Sequence, residues 1–328
     1  MTKITVREIA ELAGVSAMTV SNVIRGKDSH VSKEMKEKIL QLIKQYNYVP
    51  NQNASNLRTG ESSLIGILFY DKRTFTDFTD PFMASILTGV TQEAKRQGYF
   101  LMVHVVHSPR DIEVIQRNWK FAGFIVAGVE NHDFAEINKA IKIPATYIDT
   151  YCEAAGEMVE KTNFIMTDDE AISEKVASYL EKMGHKKVLF FTFDFKFDEP
   201  SVMERRFRAF QKSFSGEIIF ASTSSSDYQE ILENVEPYLM AQPFTAIYAT
   251  ADILAVKLHQ IFKDLSIISV DNAPFAEFLS PKLTTVAIDQ VKKGRLALRN
   301  LIETTKSGTT RNDFMSSELI ERDSVNRI

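Results

Sequence analysis

The chain has 328 residues, 44% hydrophobic and 25% charged, an ordinary globular composition too long for one ordinary domain. No run approaches the roughly 18 uninterrupted apolar residues of a membrane helix; residues 1–10 do not read as a secretory leader, and the single cysteine, Cys152, has no internal disulfide partner and fits a reducing cytoplasm. Net charge is −4, yet residues 1–60 hold nine Lys/Arg and five Asp/Glu against 30 and 38 in the rest, so the positive potential gathers at one end, as phosphate contact requires.

The first element opens with Thr5-Val-Arg-Glu8, a capping box in which Thr5 and Glu8 serve each other's amides. Ile9, Leu12 and Ala13 then mark one helical face, and Gly14 ends the helix. Val15 can plug the corner. Ser16 caps a second short helix, 17–24, with Val20, Val23 and Ile24 facing inward. Two short helices about a glycine corner predict a helix-turn-helix, a pattern shared with generic helical hairpins. Ser32 caps a third helix, about 33–47, on the stripe Ile39, Leu40 and Ile43. Pro50 enforces an extended stretch, and Asn51 can cap one more short helix, 52–58, stopped by Gly60. With Asn53, Ser55 and Asn56 inside it, that last helix is weak alone and is expected to order only when something holds it.

The run 6–26, together with His30-Val-Ser32, Tyr46-Asn-Tyr-Val-Pro-Asn51 and Asn56-Leu-Arg-Thr-Gly60, resembles the headpiece of the lactose/galactose repressor family in order and spacing. The resemblance implies that Ser16, Ala17, Met18, Thr19, Ser21 and Asn22 face DNA from the recognition helix. It implies backbone-positioning roles for Thr5, His30, Tyr48 and Asn51. Leu57 falls at the family's minor-groove wedge, with Ala54 one turn earlier and Arg58 placed to reach groove or phosphate. With only Ala54 apolar beside Leu57, that helix has too little stripe to pack alone, which favours the wedge over an ordinary apolar position.

After a polar linker at 59–63, apolar and amphipathic runs alternate. Strands are expected at 64–70, 99–106, 123–127, 145–148, 188–193, 246–249 and 267–270. Helices are expected at 84–96, 111–119, 134–141, 170–183, 203–214, 227–240 and 253–262. The alternation predicts parallel sheets covered on both faces, in two lobes. The domains are therefore set at 1–49, 50–61 and 62–328: an all-α headpiece, a hinge, and an α/β sensor. The body resembles the family's sensor domain, which looks like a periplasmic sugar-binding protein. Asp80-Pro-Phe82, Gly98-Tyr99, Asp149, Asp168-Asp169, Gly184-His185, Arg206, Asp252, Asp271 and Leu283-Thr-Thr285 carry that resemblance. It implies an effector in the cleft between lobes, near strand C-termini, held by Asp80, Phe82, Asp149, Arg206, Tyr228 and Asp271. Carboxylates and arginine suit paired hydroxyls, and an aromatic suits a sugar face. Ala251, Ile288 and Gln290 depart from the family's usual cleft residues. Trp119, the one tryptophan, is expected to pack.

No phosphate loop, nucleophile elbow, dinucleotide fingerprint or close His/Cys cluster occurs, so neither catalysis, cofactor nor metal is expected. His104 and His107 should point to opposite faces of a strand. The implied protein is a cytoplasmic, nucleoid-associated homodimer with no membrane partner, acting as a repressor on a pseudo-palindromic operator in double-stranded DNA. Its implied effector is a carbohydrate; the alternative is a protein partner or a nucleoside or purine. The sequence after Asp323 carries no heptads for a coiled-coil tetramer. Ala17 and Met18 suit thymine methyls and Asn22 suits adenine, so an operator-library selection is expected to return no strict guanine opposite Asn22. A strict guanine that disappears in Asn22→Ala would refute this reading.

Overall fold

The computed structural model describes residues 4–24, 26, 28–48, 62–71, 80–152, 161–239 and 243–328. Contacts divide the chain into two compact units, 1–62 and 63–328.

The first unit packs α1 (Val6–Ala13), α2 (Ala17–Ile24) and α3 (Lys33–Gln45) about Ile9, Ala10, Ala13, Val20, Val23 and Ile39. The capping box is present: the Thr5 amide donates to Glu8 Oε2 at 2.6 Å, and the Glu8 amide donates to Thr5 Oγ1 at 3.3 Å. Gly14 turns the corner at φ 75°, a left-handed conformation that costs glycine little. Ser16 Oγ accepts from the Thr19 amide at 3.1 Å and starts α2. Lys38 Nζ donates to the Ala13 carbonyl at the C-terminus of α1, where a cation is favoured.

The second unit contains two six-stranded sheets. One runs β2 (Phe100–Val106), β1 (Leu64–Tyr70), β3 (Gly123–Ala127), β4 (Ala145–Ile148), β5 (Thr162–Thr167) and β11 (Asn312–Met315), all parallel. The other runs β7 (Glu217–Thr223), β6 (Lys187–Phe193), β8 (Ala246–Ala249), β9 (Ser266–Asp271), β10 (Thr284–Ile288) and β12 (Ser317–Ile320), of which β12 is antiparallel to β10. The first five strands of each sheet share one connection order, a repeat of architecture that no sequence period announces. Strands such as β1 bury Ile65, Ile67 and Phe69 on one face and Leu68 and Tyr70 on the other, as parallel sheets with two covered faces demand.

Helices α4 (Pro81–Gln97), α5 (Pro109–Asn118) and α6 (Asn131–Ala140) belong to the first lobe, and α8 (Val202–Ser213), α9 (Tyr228–Leu239) and α10 (Asp252–Ile261) to the second. The lobes exchange one helix each. α7 (Asp169–Lys182) follows β5 but packs on α8, β10 and β12, whereas α11 (Gln290–Ser307) follows β10 but packs on α4, β3, β4 and β5. The chain thus crosses between lobes at residues 167–169, 288–290 and 315–317.

β5, β7, β10, β11, β12 and α11 lie outside the expected elements. In α11 the buried face carries Gln290, Lys293, Asn300 and Thr304 beside Ala297, Leu298 and Leu301, so its apolar stripe is broken. Two of the polar members find distant partners: Asn300 Nδ2 donates to Asp313 at 2.6 Å, and Thr304 Oγ1 donates to Asn163 at 3.1 Å. Trp119 does not pack as expected. It is 51% exposed, because α5 stops at Asn118 and the extended backbone of residue 119 turns it off the buried Ile112–Ile115 face.

α4 and α11 meet backbone to backbone. A Cβ on Gly89 would lie 2.0 Å from the Val291 carbonyl oxygen, and one on Gly294 would lie 2.3 Å from that of Ile86. Helix propensity alone favours alanine over glycine by about 1 kcal/mol. Gly89→Ala is nevertheless expected to destabilise the protein by about 1–3 kcal/mol through overpacking, read from the urea midpoint. A gain would show that the two helices can separate freely.

Candidate functional site

In the first unit the recognition helix offers few side chains outward. Met18 is 58% exposed, an unusual surface choice for a large apolar residue in an eight-residue helix. Asn22 lies one turn further along the same face. Ser16 is exposed and Thr19 half-buried, their hydroxyls 2.9 Å apart. Ala17 packs against the core, and Ser21, one turn on, is only 8% exposed. Residues 17 and 21 thus form the inner edge of α2, beside Val20, and present little surface. His30 is exposed, Tyr48 is half-buried against the core, and Thr5 is engaged in its capping box. Asn51, Ala54, Leu57 and Arg58 lie outside the described residues.

In the second unit, Asp80, Phe82, Asp149, Arg206 and Asp271 gather where strand C-termini of both sheets meet. Asp149 follows β4 at φ 50°, and Asp271 ends β9 at φ 117°. Both backbones are strained, at about 1–3 kcal/mol each, a cost that surrounding structure must offset. Asp80 caps α4, Oδ1 accepting from the Phe82 amide at 2.9 Å. Tyr228 begins α9, 38% exposed, and no described hydrogen bond or ring contact joins it to this cluster.

Two buried ion pairs organise the cleft. Arg206 Nε donates to Asp169 Oδ1 at 2.8 Å, and Nη1 donates to the Thr250 carbonyl at 2.6 Å. The Tyr151 hydroxyl shares its proton between Asp169 Oδ2, at 2.5 Å, and the Thr167 carbonyl, at 2.6 Å. Tyr151 follows β4 in the first lobe while Asp169 and Arg206 belong to the second, so the cluster ties the lobes together. Burial raises the Asp169 pKa, and the Arg206 guanidinium draws it back. The Arg205 guanidinium lies 4.6 Å from the Tyr151 ring centre, a cation–π contact across the same junction. The second pair is Lys293 Nζ to Asp149 Oδ2 at 2.6 Å, with Thr167 Oγ1 accepting from the same ammonium at 2.7 Å. Lys293 is fully buried and 5.9 Å from the Phe82 ring centre.

Asp252 sits deeper. It accepts from Thr285 Oγ1 at 2.7 Å, the Ala273 amide at 2.6 Å and Ser269 Oγ, which hold the turn after β9. Burial raises its pKa to about 6 despite these bonds. Asp271 is raised to about 7, by burial first and then by the charge of Asp252.

Sequence reasoning missed Lys293 and Tyr151 as cleft residues. A lysine in a charged amphipathic helix reads as a solvent residue, and nothing local marks it otherwise. Asp169 was visible as part of Asp168-Asp169 but not as the partner of Arg206. Among the described residues no group of three His, Cys, Asp or Glu is arranged to hold a metal ion, and no helix is long and apolar enough to cross a membrane.

The architecture is that of a DNA-binding helix-turn-helix followed by a two-lobed periplasmic-binding-protein-like domain. Residues 5–51 match the family described as bacterial regulatory proteins, lacI family, and residues 177–325 match the periplasmic binding protein-like domain. The first unit thus resembles the DNA-binding domain of the lacI family. It is 27% identical to the ribose operon repressor of Haemophilus influenzae, covering 92% of each chain. The lac repressor dimer bound to operator and the anti-inducer ONPF superimposes with a TM-score of 0.81 at 20% identity, covering 99% of this chain and 100% of that one. A lacI-family transcriptional regulator of Enterococcus faecalis V583 with bound ribose gives 0.68 at 21% identity, over 81% of this chain and 99% of that one.

Removing one partner of a buried ion pair leaves an uncompensated charge. Arg206→Met is expected to cost about 3–5 kcal/mol, and adding Asp169→Leu to restore most of it, both measured by urea unfolding. Simple addition of the two losses would show that the pair does not act as a unit.

Proposed function

We propose that the protein is a sequence-specific transcriptional regulator, acting as a repressor, whose DNA binding is controlled by a small molecule in the interlobe cleft. The observation that carries the reading is the pairing of two sites in one chain. An α2 face presents exposed Met18 and half-buried Asn22 behind a serine cap, and a cleft of five convergent candidate side chains lies at strand C-termini. The fold likeness to an operator-bound repressor dimer and to a ribose-bound regulator supports both halves.

On this reading two copies present their headpieces to a pseudo-palindromic operator, since half-site symmetry mirrors protein symmetry. Ser16, Met18, Thr19 and Asn22 form the reading face, and Thr5, His30, Tyr48 and Asn51 fix its register on the backbone. Leu57 wedges between base pairs in the minor groove, supported by Ala54 and Arg58. The effector, a sugar or sugar derivative, meets Asp80, Phe82, Asp149, Arg206 and Asp271. Lobe rearrangement at the three crossings transmits its arrival, and linkage requires that an effector which weakens DNA binding be bound more weakly by the DNA complex.

The test is binding of the full-length chain to a selected operator and to random duplex at physiological salt, with and without a panel of sugars and nucleosides. Specific binding is expected to fall about 10-fold to 100-fold in Met18→Ala/Asn22→Ala while non-specific binding persists. Indifference between operator and random duplex would overturn the DNA reading, and indifference to every small molecule would overturn the effector reading.

A further inference from the structure

Among the described cleft residues, Asp80, Asp149, Asp169, Asp252 and Asp271 face Arg206 and Lys293. Lys293 is committed to Asp149 and Arg206 to Asp169. Asp252 is surrounded by hydroxyl and amide donors. The bond described at Asp271 is from Gln290 Nε2, at 3.4 Å, a long contact for a half-buried carboxylate. The charges of Asp252 and Asp80 both act on Asp271, against those of Arg206 and Lys293.

A second, separate observation lies on the same spot. Gln290 is 7% exposed, and its buried Oε1 has no hydrogen-bond partner. Turning the amide over would set its oxygen against Asp271, which is favourable only while that carboxyl holds a proton. Native interiors satisfy nearly all buried polar atoms. Here an acceptor without a partner among the described residues and a weakly bonded carboxylate stand side by side, and one cationic donor would serve both.

We propose that the effector is a polyol bearing a protonated amine, with its ammonium lodged against Asp271 and Gln290 Oε1. The inference rests on reading the cleft as the effector site. An ammonium brings three donors, enough for the carboxylate, the orphaned oxygen and one further acceptor such as Asp80. Ligand hydroxyls meet the Nη2 side of the Arg206 guanidinium, since Nε donates to Asp169 and one Nη1 hydrogen to Thr250. Phe82 covers an apolar face of the ring. A neutral sugar can supply hydroxyl donors here, but it leaves the excess negative charge in place.

The experiment is titration calorimetry and thermal denaturation of the full-length protein near neutral pH, with D-glucosamine, N-acetylglucosamine and D-glucose as probes. D-glucosamine is expected to bind about tenfold or more tighter than the two neutral probes, the margin of a charge-assisted contact. Asp271→Asn keeps the shape and the acceptor for Gln290 but removes the charge. It is expected to abolish the preference and to raise the melting temperature of the unliganded protein. Equal or tighter binding of the neutral probes, no binding of D-glucosamine, or a preference that survives Asp271→Asn, overturns the proposal. If neutral sugars or nucleosides bind while D-glucosamine does not, the effector reading stands and the amine falls. If no small molecule binds or alters operator affinity, both fall.

Discussion

The Arg206–Asp169 pair is the constraint on which the sensor depends. Both groups are almost wholly removed from water, where an unpaired ion is strongly unfavourable. Each is therefore held by further bonds: Thr250 on the arginine, Tyr151 on the aspartate. Those bonds recruit β4, β5, β8, α7 and α8 to one point. Because Tyr151 comes from the opposite lobe, the electrostatics of the pair and the angle between lobes are one problem. Lys293 repeats the device from the other side, an α11 ammonium seated on Asp149 and Thr167.

The exchange of helices makes this geometry rigid. α11 leaves the second sheet and packs along α4 with no side chain between Gly89 and Val291, or between Gly294 and Ile86. Such close contact fixes the axial position of α11, and with it Gln290 and Lys293 in the cleft. Stability and site placement are thus carried by the same pair of glycines. The strained backbones of Asp149 and Asp271 sit where this scaffold can hold them.

Much of this was legible in the sequence, for identifiable reasons. Caps at Thr5, Ser16 and Ser32 mark helix starts through local hydrogen bonding, and the continuous apolar run of β1 marks a doubly covered strand. β5 and β10, rich in threonine, and α11, with buried lysine and asparagine, escaped because their polar residues are satisfied by distant partners. Asn163 on β5 bonds Thr146 and accepts from Thr304, 141 residues away. Periodicity senses neighbours along the chain and cannot register such pairings. The candidate site shows the same division. Single acidic and basic positions stand out in the sequence, while their pairing, and the burial of Ser21, depend on the folded backbone.

Two of the three crossings are built alike. Asp168 and Asp289 both cap the helix that enters the other lobe, at φ −79°, ψ 78° and φ −75°, ψ 80°. Each carboxylate accepts an amide from the first turn, Ala171 in one case and Lys292 in the other. Each cap ties the joint to the helix beyond it, so a rotation between lobes about residues 168 and 289 would carry that helix as a unit. Side chains one to four positions past the swivel, Asp169, Gln290 and Lys293, travel little for a given rotation, whereas the far ends of the lobes sweep through a wide arc. A rotation about these joints would therefore be small at the cleft and large at the periphery.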